Sequence, residues 1–333
     1  MLLGAVLGIV SPGVSEHLDT YADMTLLMLV SLLFFGVRFE QLRNLRHHGR
    51  FVLLVVLTNF VLVPVIGWAV ASSIVGVNLL FMVGLVIYFM SPCTDWFLGF
   101  TRLSGGNVAL GATLIPLNML CQLVLYPVYL NIFAYHPAIA TVQMLAERGD
   151  ASAASKPFRA YLASIQPTLI GDTLFHWFFV PCLTAVLLHQ LLKYCLKERT
   201  FERILVWADR ATLWVIALLV LQIFAAHIET ILVHAPVFKR LLLAVFVFFV
   251  MTALLGEGIS RVARLKHPEH ALLTMSIAAR NAPLMLAVTM HALPGQPLIY
   301  ASLIIGMLLE FPHLTVLQRL LIGSPKNILQ RSA

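Results

Sequence analysis

Two long stretches of this chain, Phe51–Val75 and Val108–Ala134, contain no charged side chain. Each is longer than the roughly 20 helical residues that cross a hydrocarbon core. Hydrophobic residues make up 60% of the sequence and charged residues 11%. A soluble domain of this composition would expose large apolar patches and aggregate. The sequence therefore predicts an integral membrane protein that crosses the bilayer several times.

Ten apolar segments follow one another along the chain. They lack the apolar/polar alternation of outer-membrane strands, and helices satisfy their own backbone groups in lipid. The predicted fold class is therefore an all-α integral membrane protein with about ten transmembrane helices. The segments lie near residues 1–12, 22–37, 51–75, 79–103, 108–134, 167–192, 206–226, 239–255, 271–292 and 298–322.

Basic residues are concentrated in the connections after the even-numbered segments and in the C-terminal tail. An excess of Lys and Arg marks cytoplasmic loops. Both termini are therefore predicted to be cytoplasmic, in a multi-pass protein of the cell (inner) membrane. The same bias explains the net charge of +7 without a nucleic-acid partner. The opposite side carries Arg148, Lys156, Arg159, Lys239 and Arg240.

The longest connection divides the chain into two halves of five segments each. An odd number of spans per half gives the halves opposite orientations, which is the geometry of inverted-repeat transporters. We expect a first five-helix repeat in 1–135, an extracytoplasmic connecting loop in 136–166, and a second repeat with a short cytoplasmic tail in 167–333.

The fourth and ninth segments each carry a proline in mid-span, Pro92 and Pro283. Proline removes a backbone donor and frees carbonyl and amide groups at membrane depth. Transporters use such broken helices as binding sites, although a simple kink is the alternative. Asp95 and Arg280 lie three residues from these prolines. If the two helices cross, we expect Asp95 and Arg280 to meet near the crossing. The pair would then either bind substrate or only orient the helices.

Two further polar pairs have the i, i+4 spacing of one helix face. Asn118 and Gln122 lie in the fifth segment and are expected to hydrogen-bond neighbouring helices. Asp172 and His176 lie in the sixth segment. Two ligands make a poor metal site, so we expect a hydrogen-bonded pair there and no bound metal.

Cys93 directly follows Pro92, where a thiol would face a cavity. Trivalent arsenic is thiophilic and exchanges oxygen ligands for sulfur, so a lone thiol would bind it transiently. The other three cysteines are expected to be small core residues. They are Cys121, Cys182 and Cys195.

Several of these motifs resemble one family. Ser91-Pro92-Cys93-Thr94, followed by the run Arg102–Asn107, is similar to the fourth-helix signature of arsenical-resistance permeases, the arsenite-efflux type within the bile acid/sodium symporter superfamily. Asn118 matches the family's fifth-helix asparagine, and the run Glu310–Pro312 is similar to its Glu-Val-Pro motif. The run Phe35–Arg38 also fits the superfamily.

The resemblance implies ten helices in two inverted repeats, with a panel domain beside a core domain in which the fourth and ninth helices unwind and cross. Transport would proceed by rocking around that crossing. The family's functional cysteine corresponds to Cys93 and its tenth-helix glutamate to Glu310. The predicted substrate-binding residues are Cys93, Thr94, Asp95, Asn118, Arg280 and Asn281.

The ninth segment also bears on the coupling ion. Sodium-coupled relatives carry a Glu and a Gln at positions that correspond here to Ser276 and Arg280. An arginine stays charged at physiological pH and would repel Na⁺. We therefore expect sodium-independent transport. Glu310, which we expect beside a helix break at Pro312, is the candidate proton carrier, with a packed neutral acid as the alternative.

The sequence thus predicts a secondary transporter that exports arsenite or a related metalloid, with a small anionic substrate and the lipid bilayer as its partners. The alternative is a transporter of an organic anion anchored by Arg280. A membrane enzyme or a non-transporting receptor is a further alternative. The chain lacks a His-Glu-x-x-His zinc motif, a Walker A loop and a Gly-x-Ser-x-Gly elbow, which disfavours an enzyme. No cofactor is expected.

Overall fold

The structure is a computed structural model that describes residues 2–11, 13, 18, 20–36, 48–76, 78–94, 96–135, 180–233, 235–293 and 295–322. Within these residues the chain is helical apart from turns and short connections, and the one β contact is an isolated antiparallel bridge between Pro92 and Arg280. The predicted connecting loop 136–166 and the Asp172–His176 pair lie outside the described residues.

The first half of the chain begins with nine residues of helix and contains two π-helical turns. Its elements are α1 (Leu2–Val10), α2 (Ala22–Phe35), α3 (Gly49–Leu57), the π-helical turn π1 (Thr58–Leu62), α4 (Val63–Val75), α5 (Leu79–Phe89), α6 (Phe97–Leu103), α7 (Val108–Tyr129) and the second π-helical turn π2 (Leu130–Tyr135).

The second half follows the same order of a long span, a broken helix and a long span. Its described elements are α8 (Val180–Cys195), α9 (Glu198–Val233), α10 (Ala235–Val262), α11 (His267–Ala278), α12 (Ala282–Ala292) and α13 (Pro297–Ile322).

Five of the described helical stretches are long and apolar enough to cross a membrane. Shorter apolar helices accompany them at Met24–Phe35, Leu79–Phe89 and Val180–Cys195. These lengths support a multi-pass, all-α membrane protein, whereas the ten-helix count and the inverted repeat stay predictions. The five stretches are Gly49–Val75, Val108–Phe133, Glu198–Ala226, Val237–Val262 and Pro297–Ile322.

The proline-containing spans behave differently from one another. The fourth span is broken, because α5 ends at Phe89 and α6 begins at Phe97, and the ninth is broken between α11 and α12. The break expected at Pro312 is wrong, because α13 runs through that residue as one helix. A proline removes one hydrogen bond of the ladder, and the rest of so long a helix keeps its bonds.

The described residues form two compact units, each drawn from both halves of the chain. The first comprises Met1–Val37, Tyr135–Pro236 and Pro283–Ala301. In it α9 packs against α1 and α2, and α8 packs against α2. Gly4 permits the first contact, since a Cβ there would lie 2.5 Å from the carbonyl oxygen of Leu221. Small residues of this kind let membrane helices approach closely.

The second unit comprises Arg38–Ala134, Val237–Ala282 and Ser302–Ala333. Aromatic packing fixes the end of its broken helix α5: the Phe89 ring stacks on Phe248 of α10 with centroids 3.9 Å apart. Gly67 of α4 leaves room for Phe89, because a Cβ at position 67 would lie 2.6 Å from its Cβ. The crossing of the two broken helices lies in this unit.

Candidate functional site

The unwound segments of the two broken helices pair with each other through their backbones. The Cys93 amide donates a 3.0 Å hydrogen bond to the carbonyl of Ala279, and the Asn281 amide donates a 2.9 Å bond to the carbonyl of Ser91. The two segments therefore satisfy backbone groups that lipid could not. The structure thus brings the two broken helices together, as predicted.

Arg280 lies at the centre of this crossing and is fully buried. Its Nη1 donates a 2.9 Å hydrogen bond to the carbonyl of Phe89, and its Nη2 donates to the carbonyls of Ser276, at 3.3 Å, and Ile277. Phe89 ends α5, and the other two residues lie in the last turn of α11. The carbonyls of a final turn lack helical donors and form the negative end of the helix dipole. Arg280 therefore supplies donors and positive charge to the ends of both broken helices.

Glu310 connects α13 to the crossing. Its Oε1 accepts hydrogen bonds from Trp96 Nε1, at 2.8 Å, and from the Arg280 amide, at 2.9 Å, and its Oε2 accepts one from Tyr88 Oη at 2.8 Å. The carboxyl group is fully buried. One side chain thus holds α5, the unwound segment and the Arg280 backbone.

Tyr88 and Trp96 are site residues that were not predicted from the sequence. Both are aromatic residues with a hydrogen-bonding group, and both lie within four residues of Pro92. Such side chains usually find a polar partner when they are buried, so their position beside a helix break was a usable signal. Their actual partner, Glu310, could not be read from the sequence, because it lies more than 200 positions away.

Three predicted substrate residues occupy the unwound segments beside Arg280. Cys93, Thr94 and Asn281 are all buried, and Asn281 Nδ2 donates a 2.9 Å hydrogen bond to Thr94 Oγ1. The backbone of Cys93 is thus held at the crossing, where a segment from each half of the chain pairs with the other. Asp95 lies outside the described residues, so its pairing with Arg280 stays a prediction.

The expectation that the other three cysteines are core residues is wrong. Cys121 of α7 and Cys182 of α8 are partly exposed, and Cys195 is exposed where α8 ends. Apolar residues surround a cysteine in the sequence both when it lies in the core and when it lies on a membrane-facing surface. Apolar neighbours in the sequence therefore do not show which of the two places a cysteine occupies. No disulfide joins the four cysteines, all of which lie in described segments.

Asn118 and Gln122 are buried on one face of α7. Among the described residues, neither polar atom of either carboxamide has a hydrogen-bond partner. The expected bonds to neighbouring helices are therefore not found among the described helices. A buried polar group without a partner costs about 1–3 kcal/mol. Such groups are candidates to bind a substrate that both donates and accepts hydrogen bonds.

Residues 24–148 match the sequence profile of one family, SBF, described as the Sodium Bile acid symporter family. The match extends over α2 to π2 and a short stretch beyond, within the first half of the chain. No curated protein matches the chain. The match supports the predicted resemblance to the bile acid/sodium symporter superfamily, whose members are transporters and not enzymes. Similarity to the arsenical-resistance permeases in particular remains a prediction.

Proposed function

We propose that this chain is a secondary active transporter of the cell membrane that works at the crossing of the broken helices and does not couple to sodium. The hydrogen bonds of Arg280 to the carbonyls of Phe89, Ser276 and Ile277 carry this proposal. In transporters with broken helices, carbonyls at helix ends coordinate the coupling cation. Here a guanidinium, which keeps its charge at physiological pH, bonds to such carbonyls.

Ser276 gives independent support for the absence of sodium coupling. Its hydroxyl accepts a 2.9 Å hydrogen bond from Asn59 Nδ2, and its carbonyl accepts one from Arg280. By resemblance, sodium-coupled relatives carry a glutamate at this position. A serine whose two oxygens already have protein donors is a poor replacement for that carboxylate.

The proposed substrate is arsenite or a related trivalent metalloid, exported from the cell. Cys93 supports this choice, because its buried thiol lies in the unwound segment that pairs with the opposite half of the chain. One As–OH bond and the S–H bond break, an As–S bond forms and water is released, and hydrolysis of the As–S bond reverses this exchange during transport. The hydrogen-bonded pair of Thr94 and Asn281 lies beside this thiol and adds polar groups for the remaining oxygens.

Proton coupling through Glu310 completes the proposal. Oε1 accepts hydrogen bonds from two N–H groups, and an N–H group can donate a hydrogen bond but cannot accept one. A proton on the carboxyl group would therefore be carried on Oε2. The partner of Oε2 is the Tyr88 hydroxyl, which can either donate or accept. A proton can therefore bind at that oxygen without displacing Trp96 or the Arg280 amide.

The alternative substrate is an organic anion that binds Arg280. One observation favours it: Nε of Arg280 is buried and has no hydrogen-bond partner among the described residues. A carboxylate or sulfonate that reached this N–H group would satisfy it and would partly neutralise the charge.

Expression of the chain in a bacterial strain that lacks its own arsenite efflux system tests the substrate. The proposal predicts growth at arsenite concentrations that stop the empty-vector strain. If the protein is present in the membrane and resistance does not rise, arsenite is not the substrate. Uptake of radiolabelled carboxylates and sulfonates by the same cells then tests the alternative, and failure of both would contradict both substrate proposals.

A further inference from the structure

A cavity lies between α10, α11 and α13, and we call it the α10–α13 groove. Its volume is about 660 Å³, within the range of small-molecule sites, roughly 300–1,000 Å³. None of the predicted substrate residues lines it. Its walls are apolar except for four side chains, which are Glu257, His270, Thr274 and His313.

The rims of the groove are exposed apolar side chains of two membrane-spanning helices. Phe246 and Leu254 of α10 are 60% and 64% exposed, and Val316 and Leu320 of α13 are 56% and 65% exposed. Both helices are among the candidate spans, so side chains exposed in this way face hydrocarbon. An occupant would therefore enter sideways from the membrane and would need an apolar body.

Two polar atoms inside the groove have no hydrogen-bond partner among the residues that the structure describes. They are Oγ1 of Thr274, a residue only 2% exposed, and Nε2 of His313. A Cβ on Gly256 would lie 3.0 Å from Thr274 Oγ1, and the His313 ring stacks on Phe249 with centroids 4.4 Å apart. Because unpaired buried polar groups are costly, an occupant with its own hydrogen-bonding group would gain from both.

The charge of the groove selects among head groups. Glu257 lines it, and its carboxylate accepts a 2.7 Å hydrogen bond from Arg261 and lies 3.1 Å from Nε2 of His270. The carboxylate therefore lies beside the occupant, and none of the described residues that line the groove is a lysine or an arginine. An anionic head group would therefore meet a carboxylate, whereas a hydroxyl can donate to and accept from Thr274 and His313.

We propose that the α10–α13 groove binds an uncharged membrane amphiphile, with its hydrocarbon chain between α10 and α13 and a hydroxyl-bearing head group at Thr274 and His313. The site is separate from the helix crossing and does not depend on the proposed transport function.

Photoaffinity labelling of the purified full-length protein tests the groove directly. The probe is a long-chain monoacylglycerol that carries a diazirine in its chain, and the labelled residues are mapped by mass spectrometry. The proposal predicts saturable labelling on α10 and α13 that unlabelled monoacylglycerol displaces. A fatty acid of the same length should displace it less well. Labelling that does not saturate, or that spreads over all lipid-facing helices, would overturn the proposal, and better displacement by the fatty acid would overturn the head-group assignment.

Two variants sharpen this test. Ala253→Trp fills the groove and should abolish saturable labelling, whereas Leu243→Trp, on the same helix but outside the groove, should not. Thr274→Val keeps the side-chain shape and should weaken the monoacylglycerol about five-fold, the effect of one net hydrogen bond of about 1 kcal/mol. If Ala253→Trp does not fold, saturation in the unmodified protein and the affinity of Thr274→Val still decide. Unchanged affinity in Thr274→Val would contradict the assignment of the head group.

Discussion

The Tyr88 hydroxyl donates a 2.8 Å hydrogen bond to Glu310 Oε2, although the two residues lie 222 positions apart in the chain. This contact depends on Gly306, which precedes Glu310 by one turn of α13. A Cβ at Gly306 would lie 2.5–2.7 Å from three atoms of the Tyr88 ring. The absence of a side chain at position 306 therefore lets the ring lie against α13 and reach the carboxyl group.

Gly306→Ala should destabilise the protein by about 1–3 kcal/mol, the usual effect of an added methyl group in a packed interior. The Tyr88 ring would have to move, which would also break its bond to Glu310, so transport should fall as well. The measurement is thermal unfolding of the purified protein in detergent, together with transport in vesicles.

Gly258→Ala is the matched control, because a Cβ at Gly258 of α10 would meet no atom within 4 Å. Its helix should gain up to roughly 1 kcal/mol from the better helix former. Equal melting temperatures for the two variants would show that Gly306 does not position Tyr88.

Arg280→Met should destabilise the protein by roughly 3 kcal/mol or more, since three buried carbonyls would lose their donor and each loss costs about 1–3 kcal/mol. Arg319→Met removes an exposed arginine of α13 and should change stability by no more than about 0.5 kcal/mol. Thermal unfolding compares the two. An Arg280→Met protein as stable as the parent would contradict the role of the guanidinium at the helix ends.

The sequence predicted the parts of this fold that depend on local chemistry. The charge-free runs predicted membrane helices, and the small and polar residues around Pro92 predicted a broken span. Pro283 occupies a different place from Pro92. It is the second residue of α12, where the missing amide has no helical acceptor and costs little. Pro312 does not break α13, because the effect of a proline depends on the helix around it and not on the proline alone.

The partners of the buried polar groups could not be predicted, because they depend on which helices pack together. Arg280 was expected to need a carboxylate, yet three backbone carbonyls also stabilise a guanidinium, and a sequence does not show where carbonyls are freed. Asn118 and Gln122 were expected to bond to other helices, and no such bond is found within the described part of the chain. Glu310 was singled out correctly as a buried carboxyl group of the tenth segment.

Asn118→Leu should raise stability by about 1–3 kcal/mol, because it removes a buried carboxamide that has no hydrogen-bond partner in the described segments. If the carboxamide contacts substrate, the same variant should transport poorly. Opposite changes in melting temperature and transport rate are therefore expected. Thr113→Val on the same helix is the control, since Thr113 bonds within α7 to the carbonyl of Leu110 and should not affect transport. A loss of stability in Asn118→Leu would show that the carboxamide has a structural partner.

Cys93→Ser should abolish arsenite resistance while membrane expression stays unchanged, because a hydroxyl does not form the reversible bond to arsenic that a thiol forms. Cys195→Ser, at the exposed end of α8, should retain full resistance. Growth in arsenite and immunoblots of the membrane fraction measure both. Full resistance in the Cys93→Ser strain would rule out the thiol mechanism, and an organic-anion transporter would tolerate this near-isosteric change.

Arg280 is proposed to replace a coupling sodium ion at the helix crossing. Arsenite uptake into everted membrane vesicles tests this most directly, with sodium replaced by choline and the pH gradient left intact. We expect an unchanged rate in choline and a loss of uptake when the pH gradient alone is collapsed. Loss of uptake on removal of sodium, with the pH gradient intact, would contradict it.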